Sequence, residues 1–556
     1  MILSLLHIKL IFSKGLFYNS IVLENKLEIE NAKYSHDELL CLAYRKWGTL
    51  LLPHLEGDFA FSFYDADEKS YFAARDPLGV KALYFTKIEE NYHFASSISE
   101  LLNLPNIQKK PNLKSMKTML YSRTVEYSNT LYEGIYRLPP GHFMTIENGK
   151  EKIERYWFPE KIKRNYKITE EEAVKKLHNL FLNAINKRVL DLEETAVEVS
   201  GGLDSSSVAC LLAKNSTASK IDSYSMELKG LKCDEDVYVD SLLEQYPLNH
   251  QKISCEKLDY TQKYSLTQLY TVSADWPLMH VSAIGYFMAE KMYTEKKRVI
   301  LTGQGGDELF GWNSYIFYDL FMRLKFLTLY RELKYLAKPW RAIKKYIVKP
   351  VLGERGIRFL KIIFRKKKKN NFFKKSDEVK SISQIAEIKD LSFIEDIDSI
   401  TSARHVTVMD GNFLHPMEEY FSVEFRHPFY DLALVEFSLS LPTEFKYSHG
   451  KSKYIFRKAM ENILPEKINS RTDKAEFSEI LEQQIDALDL SALLNNAYIV
   501  KLGLIDQAGI YKIRNEYEAQ SIKKPFHIWG LINMEYWYRF NFEKESLKDV
   551  DSKESA

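Results

Sequence analysis

At 556 residues the chain is too long for a single hydrophobic core, and two or three domains are expected. Its 45% hydrophobic and 28% charged residues are those of a soluble globular protein. The absence of any apolar run of about 20 residues excludes a membrane-spanning helix. The net charge of +2 hides an uneven distribution: Arg323 to Lys375 carries 19 Lys/Arg against two acids, Glu332 and Glu354, leaving about −15 elsewhere.

Met1 to Phe12 is apolar but is interrupted by His7 and Lys9 and has no small-residue cleavage site, so it reads as a strand and not as a signal peptide. The four cysteines, Cys41, Cys210, Cys233 and Cys255, lack metal-ligand spacing and read as reduced thiols of a cytoplasmic protein. Asp37 to Trp47 is predicted to be a short helix. Strands are expected at Phe59–Tyr64, Tyr71–Ala74, Ala82–Phe85 and His93–Ala95. Residues 1–160 thus read as a first, mixed α/β unit.

Glu170 to Val189 has the apolar spacing of a long amphipathic helix and opens a second unit, residues 170–545. Ala196–Val199 is a predicted strand, and Ser205–Lys214 continues as a helix after a turn at Ser200-Gly201-Gly202. Paired glycines allow close backbone approach, and a helix start offers free N–H groups to an anion. Ser200, Ser205 and Ser206 suit phosphate oxygens, and Asp204 suits the magnesium that accompanies them. No Gly-Lys-Ser/Thr follows, so this is not a Walker A loop.

Ile221–Leu228 is the next predicted strand, Asp234–Gln245 and Val281–Met292 are predicted helices, and Arg298–Leu301 is a third strand. Alternating strands and helices predict a parallel sheet covered on both faces. The third strand runs into Thr302-Gly303-Gln304-Gly305-Gly306-Asp307-Glu308, glycine-rich like the first loop and again carrying carboxylates. Asp307 is the second magnesium carboxylate that a triphosphate needs opposite Asp204. Gln304 is an amide and cannot take a proton. Within 323–375, Tyr330–Tyr346 has helical spacing and Arg365–Lys375 is a basic run. Its readings are a solvated insertion, a dock for an acidic partner, or a membrane-surface or nucleic-acid contact.

The Ser200–Ser205 turn resembles the SGGxDS loop of the N-type ATP pyrophosphatases. Leu55–Phe61, Ala74–Lys81, Phe94–Ser97 and Leu138–His142 are similar to the glutaminase half of asparagine synthetases. Thr302–Gly311 and Glu424-Phe425-Arg426-His427-Pro428-Phe429-Tyr430-Asp431 resemble motifs of their synthetase half. The resemblance implies a truncated glutamine-amidotransferase-like domain of the N-terminal-nucleophile type. An ATP-pyrophosphatase domain of the adenine nucleotide alpha hydrolase kind would follow. Ser225 and Met226 would then lie at the adenine, with Gly303 and Gly305 in the nucleotide loop. Lys474 would steady the adenylate and departing phosphate, and Glu424 would orient or deprotonate the amine. Residue 2 is Ile2 where such a glutaminase has its nucleophilic cysteine, and Cys41 falls in a predicted helix, so no glutamine hydrolysis is expected.

The expected activity is amide ligation through an acyl-adenylate, with ATP and magnesium as cofactors and a carboxylate and an amine as substrates. Among such enzymes, a lost nucleophile beside a retained ligase site resembles β-lactam synthetases and lasso-peptide macrolactam cyclases. The latter is favoured, with a precursor peptide and its maturation protease as partners and no nucleic acid. An ammonia-using asparagine synthetase and a non-catalytic nucleotide-binding partner protein are the alternatives.

Overall fold

The computed structural model describes residues 8–29, 34–122, 124–216, 220–254, 265–272, 275–277, 282–313, 315–351, 390–402, 405, 414–473, 475, 478–519 and 525–547. Two sheets build the first unit. Strands β1 (Ile8–Phe17), β2 (Gly57–Asp65), β3 (Ser70–Arg75), β4 (Tyr84–Ile88), β5 (Asn91–Ala95), β6 (Ile135–Arg137), β7 (His142–Glu147) and β8 (Lys150–Arg155) pair antiparallel in orders β1-β2-β3-β7-β8 and β5-β4-β6.

Strand alternation explains the layering. Phe59, Phe61 and Phe63 of β2 face one side, where Tyr44 of the helix His36–Trp47 stacks on Phe63 at 4.4 Å. Ala60 and Ala73 face the other side and leave room for Leu83, just before β4, and for Phe85 of β4. Truncating a buried ring such as Phe61 to alanine would cost about 3–5 kcal/mol. Helix His36–Trp47 begins at a Ser35–Glu38 capping box, the sequence signal for such a start.

The second unit is organised by a five-stranded parallel sheet. Its strands are β9 (Thr195–Glu198), β10 (Asp222–Glu227), β11 (Asn249–Ser254), β12 (Val299–Leu301) and β13 (Glu424–Arg426), in order β11-β10-β9-β12-β13. The order reverses between β9 and β12, and the crevice outside the strand ends at such a switch point is where open α/β sheets bind ligands. Both glycine-rich loops leave the sheet there. The long helix Glu170–Arg188 starts at a Thr169–Glu172 capping box and buries Leu177, Phe181 and Ile185 against the sheet's helical cover.

Two readings change. β11 and β13 were not expected, because Asn249–Ser254 is polar and Glu424–Arg426 is only three residues long. The single helical pattern over Tyr330–Tyr346 is divided into helices Phe326–Lys334 and Pro339–Ala342 and a π-helical turn Ile343–Val348. Pro339 lacks the N–H that a continuous helix would need and keeps Lys338 out of helical backbone, at φ −139° and ψ 68°. The Arg365–Lys375 run, Ile2 and Cys255 lie outside the described residues.

Candidate active site

After β9 the chain turns through Ser200 and Gly201, whose φ of +69° is left-handed backbone that glycine adopts without strain. Gly202 is extended and caps helix Leu203–Asn215. Ser205 closes the turn: its Oγ accepts from the Ser200 N–H at 3.0 Å and lies 2.9 Å from the Ser200 Oγ. A hydrogen-bonded turn thus leads into the first turn of the helix, whose N–H groups have no partner further back in a helix and suit phosphate oxygens. Ser206, one residue further into the helix, is fully buried.

The loop after β12 packs directly onto the first. A Cβ on Gly303 would stand 2.4 Å from the Ser205 nitrogen, and one on Gly306 would stand 2.3–2.8 Å from the Asp204 carboxylate. Only hydrogen fits at either place. The absence of a side chain at Gly306 lets the Asp204 carboxylate lie against the loop that carries Asp307. Gly305, at φ +102°, is held against Phe429 and Tyr430. Behind the loop, Thr302 Oγ1 lies 2.7 Å from His427 Nδ1 and accepts from the Gln304 N–H at 3.2 Å.

Asp204 and Asp307 meet on one cation. Lys453 Nζ lies 2.5 Å from Asp204 Oδ2 and 2.8 Å from Asp307 Oδ1. Burial works against the ammonium charge, but Asp204 and then Asp307 outweigh it and hold the lysine above its ordinary range. Lys453 itself sits at φ +58° at the head of helix Tyr454–Ala459, directly after the hairpin formed by β14 (Tyr447–Ser448) and β15 (Lys451–Ser452). From the neighbouring segment, Arg471 donates to the Gly201 carbonyl at 3.3 Å, pairs with Glu235 and lies 4.0 Å over the Tyr238 ring. Two cations thus brace the first loop, one at each side.

The donor set suits magnesium. Two carboxylates converge, and among the described residues there is no cluster of three or more His, Cys, Asp or Glu. That is too few ligands for an all-protein cage. It fits a magnesium ion that keeps water and takes oxygens from substrate phosphates.

The other sequence expectations fare differently. Ser225 is buried in β10, its Oγ 3.0 Å from His250 Nε2, while Ser223 Oγ lies 2.9 Å from Nδ1 of the same ring. Ser225 is therefore engaged across β11, and Met226 beside it is half-buried near the strand end. Lys474 lies outside the described residues, although Arg471 and Asp473 of its segment are described.

Glu424 is not brought to the loops. It opens β13 in register with Val299, at the amino-terminal edge of the sheet, whereas the glycine-rich loops leave the carboxyl edge. There it pairs with Lys81 of the first unit at 3.3 Å and with Arg426 at 2.6 Å. Burial raises its pKa, but Lys81 and then Arg426 outweigh that and hold the carboxyl below its usual range. A carboxylate tied to two cations is a poor proton acceptor, and here Glu424 stands in the seam between the units.

Reasoning from sequence missed Lys453, Arg471 and Lys81 as charged partners. The only local signal for Lys453 was a lysine-rich turn, Lys451-Ser452-Lys453, before an apolar helix. Cys41 is buried in helix His36–Trp47, where burial and then Asp37 and Glu38 push its thiol up to about 11, the opposite of an activated nucleophile.

Comparison with known proteins adds the lineage. Residues 176–539 match the family model described as asparagine synthase, and residues 3–157 match that of a glutamine amidotransferase domain. The chain is 24% identical to asparagine synthetase [glutamine-hydrolyzing] 1 of Bacillus subtilis, over 97% of its own length and 87% of the relative's. It is 29% identical to amidase chyE of Penicillium rubens, over 49% of its own length and 42% of the relative's. A solved structure of the allosteric regulatory enzyme of purine biosynthesis aligns with 39% of this chain and 45% of its own, at 16% identity and a TM-score of 0.19. With two glycine-rich loops at the switch point of a parallel sheet and a family match over most of its length, the chain belongs to the asparagine synthase family, as an ATP-dependent carbon–nitrogen ligase behind an amidotransferase-type domain.

Proposed function

We propose that the enzyme adenylates a side-chain carboxylate of a peptide and that an amine of the same peptide attacks it, closing a macrolactam. What supports this reading is the seam between the two units. Lys81 lies 3.3 Å from both Glu418 and Glu424, and Arg188 lies 3.2 Å from Asp58 and from Asp431, all of them buried except the half-buried Glu424. The void between the units, lined by Tyr18, Asp58, Arg188 and Asp431, has a volume of about 10 Å³. That is room for about one water molecule, so among the described residues this part of the seam is closed. An amine arriving from the solvent side, carried by the substrate, suits such a seam better than ammonia released in the first unit.

Asp204 and Asp307 would hold magnesium, which when bound neutralises phosphate charge and polarises the α-phosphoryl group. The N–H groups after Gly202 would receive phosphate oxygens, and Lys453 would fix the two carboxylates between turnovers. Lys474 would meet the charge that develops on the departing AMP. These roles make ATP activation a property of the second unit alone.

The second reading is asparagine synthesis, favoured by similarity to the Bacillus subtilis enzyme along nearly the whole chain. Pyrophosphate exchange separates the two. Exchange driven by peptides with an internal Asp or Glu and a free amino terminus, with a product lighter by one water, upholds macrolactam formation. Exchange driven by free aspartate, with asparagine formed from ammonia or glutamine, replaces it.

A further inference from the structure

The stretch from Arg323 to Val351 holds nine Lys/Arg and one acid, Glu332. That acid is turned inward: it is buried, pairs with Arg331 and accepts from the Gly450 N–H at 3.2 Å. The inward faces of the three helical pieces form one small cluster, in which Leu329, Ala342 and Ile347 join Tyr447 of the β14–β15 hairpin. This cluster fixes the stretch to the protein and determines what is left outside.

What is left outside is apolar as well as basic. In helix Phe326–Lys334, Leu327, Tyr330, Arg331 and Lys334 lie opposite Leu329, by the 100° step of the helix. Leu327 is 89% exposed, Leu324 and Trp340 are each 72% exposed, and Val348 and Val351 are also exposed. Lys338, Arg341, Lys344, Lys345 and Lys349 are exposed between them. Solvated insertions have no need of large apolar groups in such a row, and a monomer rarely shows them together.

We propose that this face, residues 322–351, is a docking surface for an anionic lipid bilayer, on which the enzyme lies without crossing it. No described helix is long and apolar enough to span a membrane, and a surface contact needs none. Leu, Trp and Tyr side chains set among lysines match the boundary between acyl chains and anionic headgroups, which takes both kinds of group at once. An acidic peptide would satisfy the lysines but would leave Leu324, Leu327 and Trp340 in water.

The test is sedimentation of the full chain with phosphatidylcholine vesicles, with and without phosphatidylglycerol. Binding is expected only with the anionic lipid, weakening as salt rises. The double variant Leu327→Glu/Trp340→Glu should bind about tenfold or more weakly, since burying one such side chain is worth about a decade in affinity. Its pyrophosphate exchange and melting temperature should match the wild type. If that variant misfolds, Lys344→Gln/Lys345→Gln should still bind several-fold more weakly. Equal binding to both vesicle types, or a folded Leu327→Glu/Trp340→Glu that binds as the parent does, overturns the proposal. So does tight binding of polyglutamate without vesicle binding, which makes the partner an acidic chain.

Discussion

Two buried lysines in this enzyme each stand between two carboxylates, and they do different work. Lys453 joins Asp204 and Asp307 at the carboxyl edge of the sheet, where the Asp307 side chain keeps 49% of its exposure. Lys81 joins Glu418 and Glu424 at the opposite edge, where the carboxylates are 6% and 26% exposed and the first unit closes over them. The first triad can exchange a partner with solvent or substrate. The second cannot do so without opening the seam. Similar charges in similar number thus make a binding site in one place and a joint in the other, and access is the difference.

The largest effect is expected at Lys81. Lys81→Met should leave two carboxylates facing each other in the seam and destabilise the protein by about 3–5 kcal/mol, read as a shift in the urea midpoint. Wild-type stability would show that the seam is not held by charge. Next comes the open triad: Asp204→Asn or Asp307→Asn should lower pyrophosphate exchange by about 10²–10³-fold while the urea midpoint moves little. A variant that unfolds early instead would make this triad a joint as well.

Glu424→Gln sharpens the contrast. It loses its charge but keeps its shape, and Lys81 retains Glu418, so a stability loss of about 1–3 kcal/mol is expected. Exchange and amide formation should fall together by less than tenfold. Loss of amide formation alone would return Glu424 to the chemistry.

The smallest effect is expected at His250, beneath the candidate nucleotide strand. Burial and then Lys252 lower its pKa to about 4. Between that value and about 6.5 the unfolded chain binds the proton and the folded one does not, so stability is full above pH 6.5 and is lost as the pH falls towards 4. Allowing for partial exposure of the ring, His250 should account for about 1–2 kcal/mol of that loss. Melting curves of wild type and His250→Gln across this range should converge at low pH. Parallel curves would remove the assignment.

The two glycine-rich loops were legible in the sequence because their requirements are local. Gly201 needs left-handed backbone, Gly303 and Gly306 need contact without a side chain, and Asp204 and Asp307 lie within a few residues of them. Helices with capping boxes at Ser35 and Thr169 were equally legible. The surroundings of Glu424 were not legible, because one continuous motif serves two ends of a strand. His427 to Tyr430 support the Thr302 loop, while Glu424, at the start of β13, turns to the other unit.

Local sequence dictates which peptide units can bend, which helix starts follow a glycine turn, and that two carboxylates lie beside those turns. Those properties depend on backbone sterics and on the donors of neighbouring residues. Tertiary structure alone decided the strand order that places β9 beside β12. It also decided that Lys453, 249 residues from Asp204, is the cation between the two carboxylates. Nothing local encodes such a pairing, because the free energy of a buried charge is set by whatever the rest of the chain folds around it.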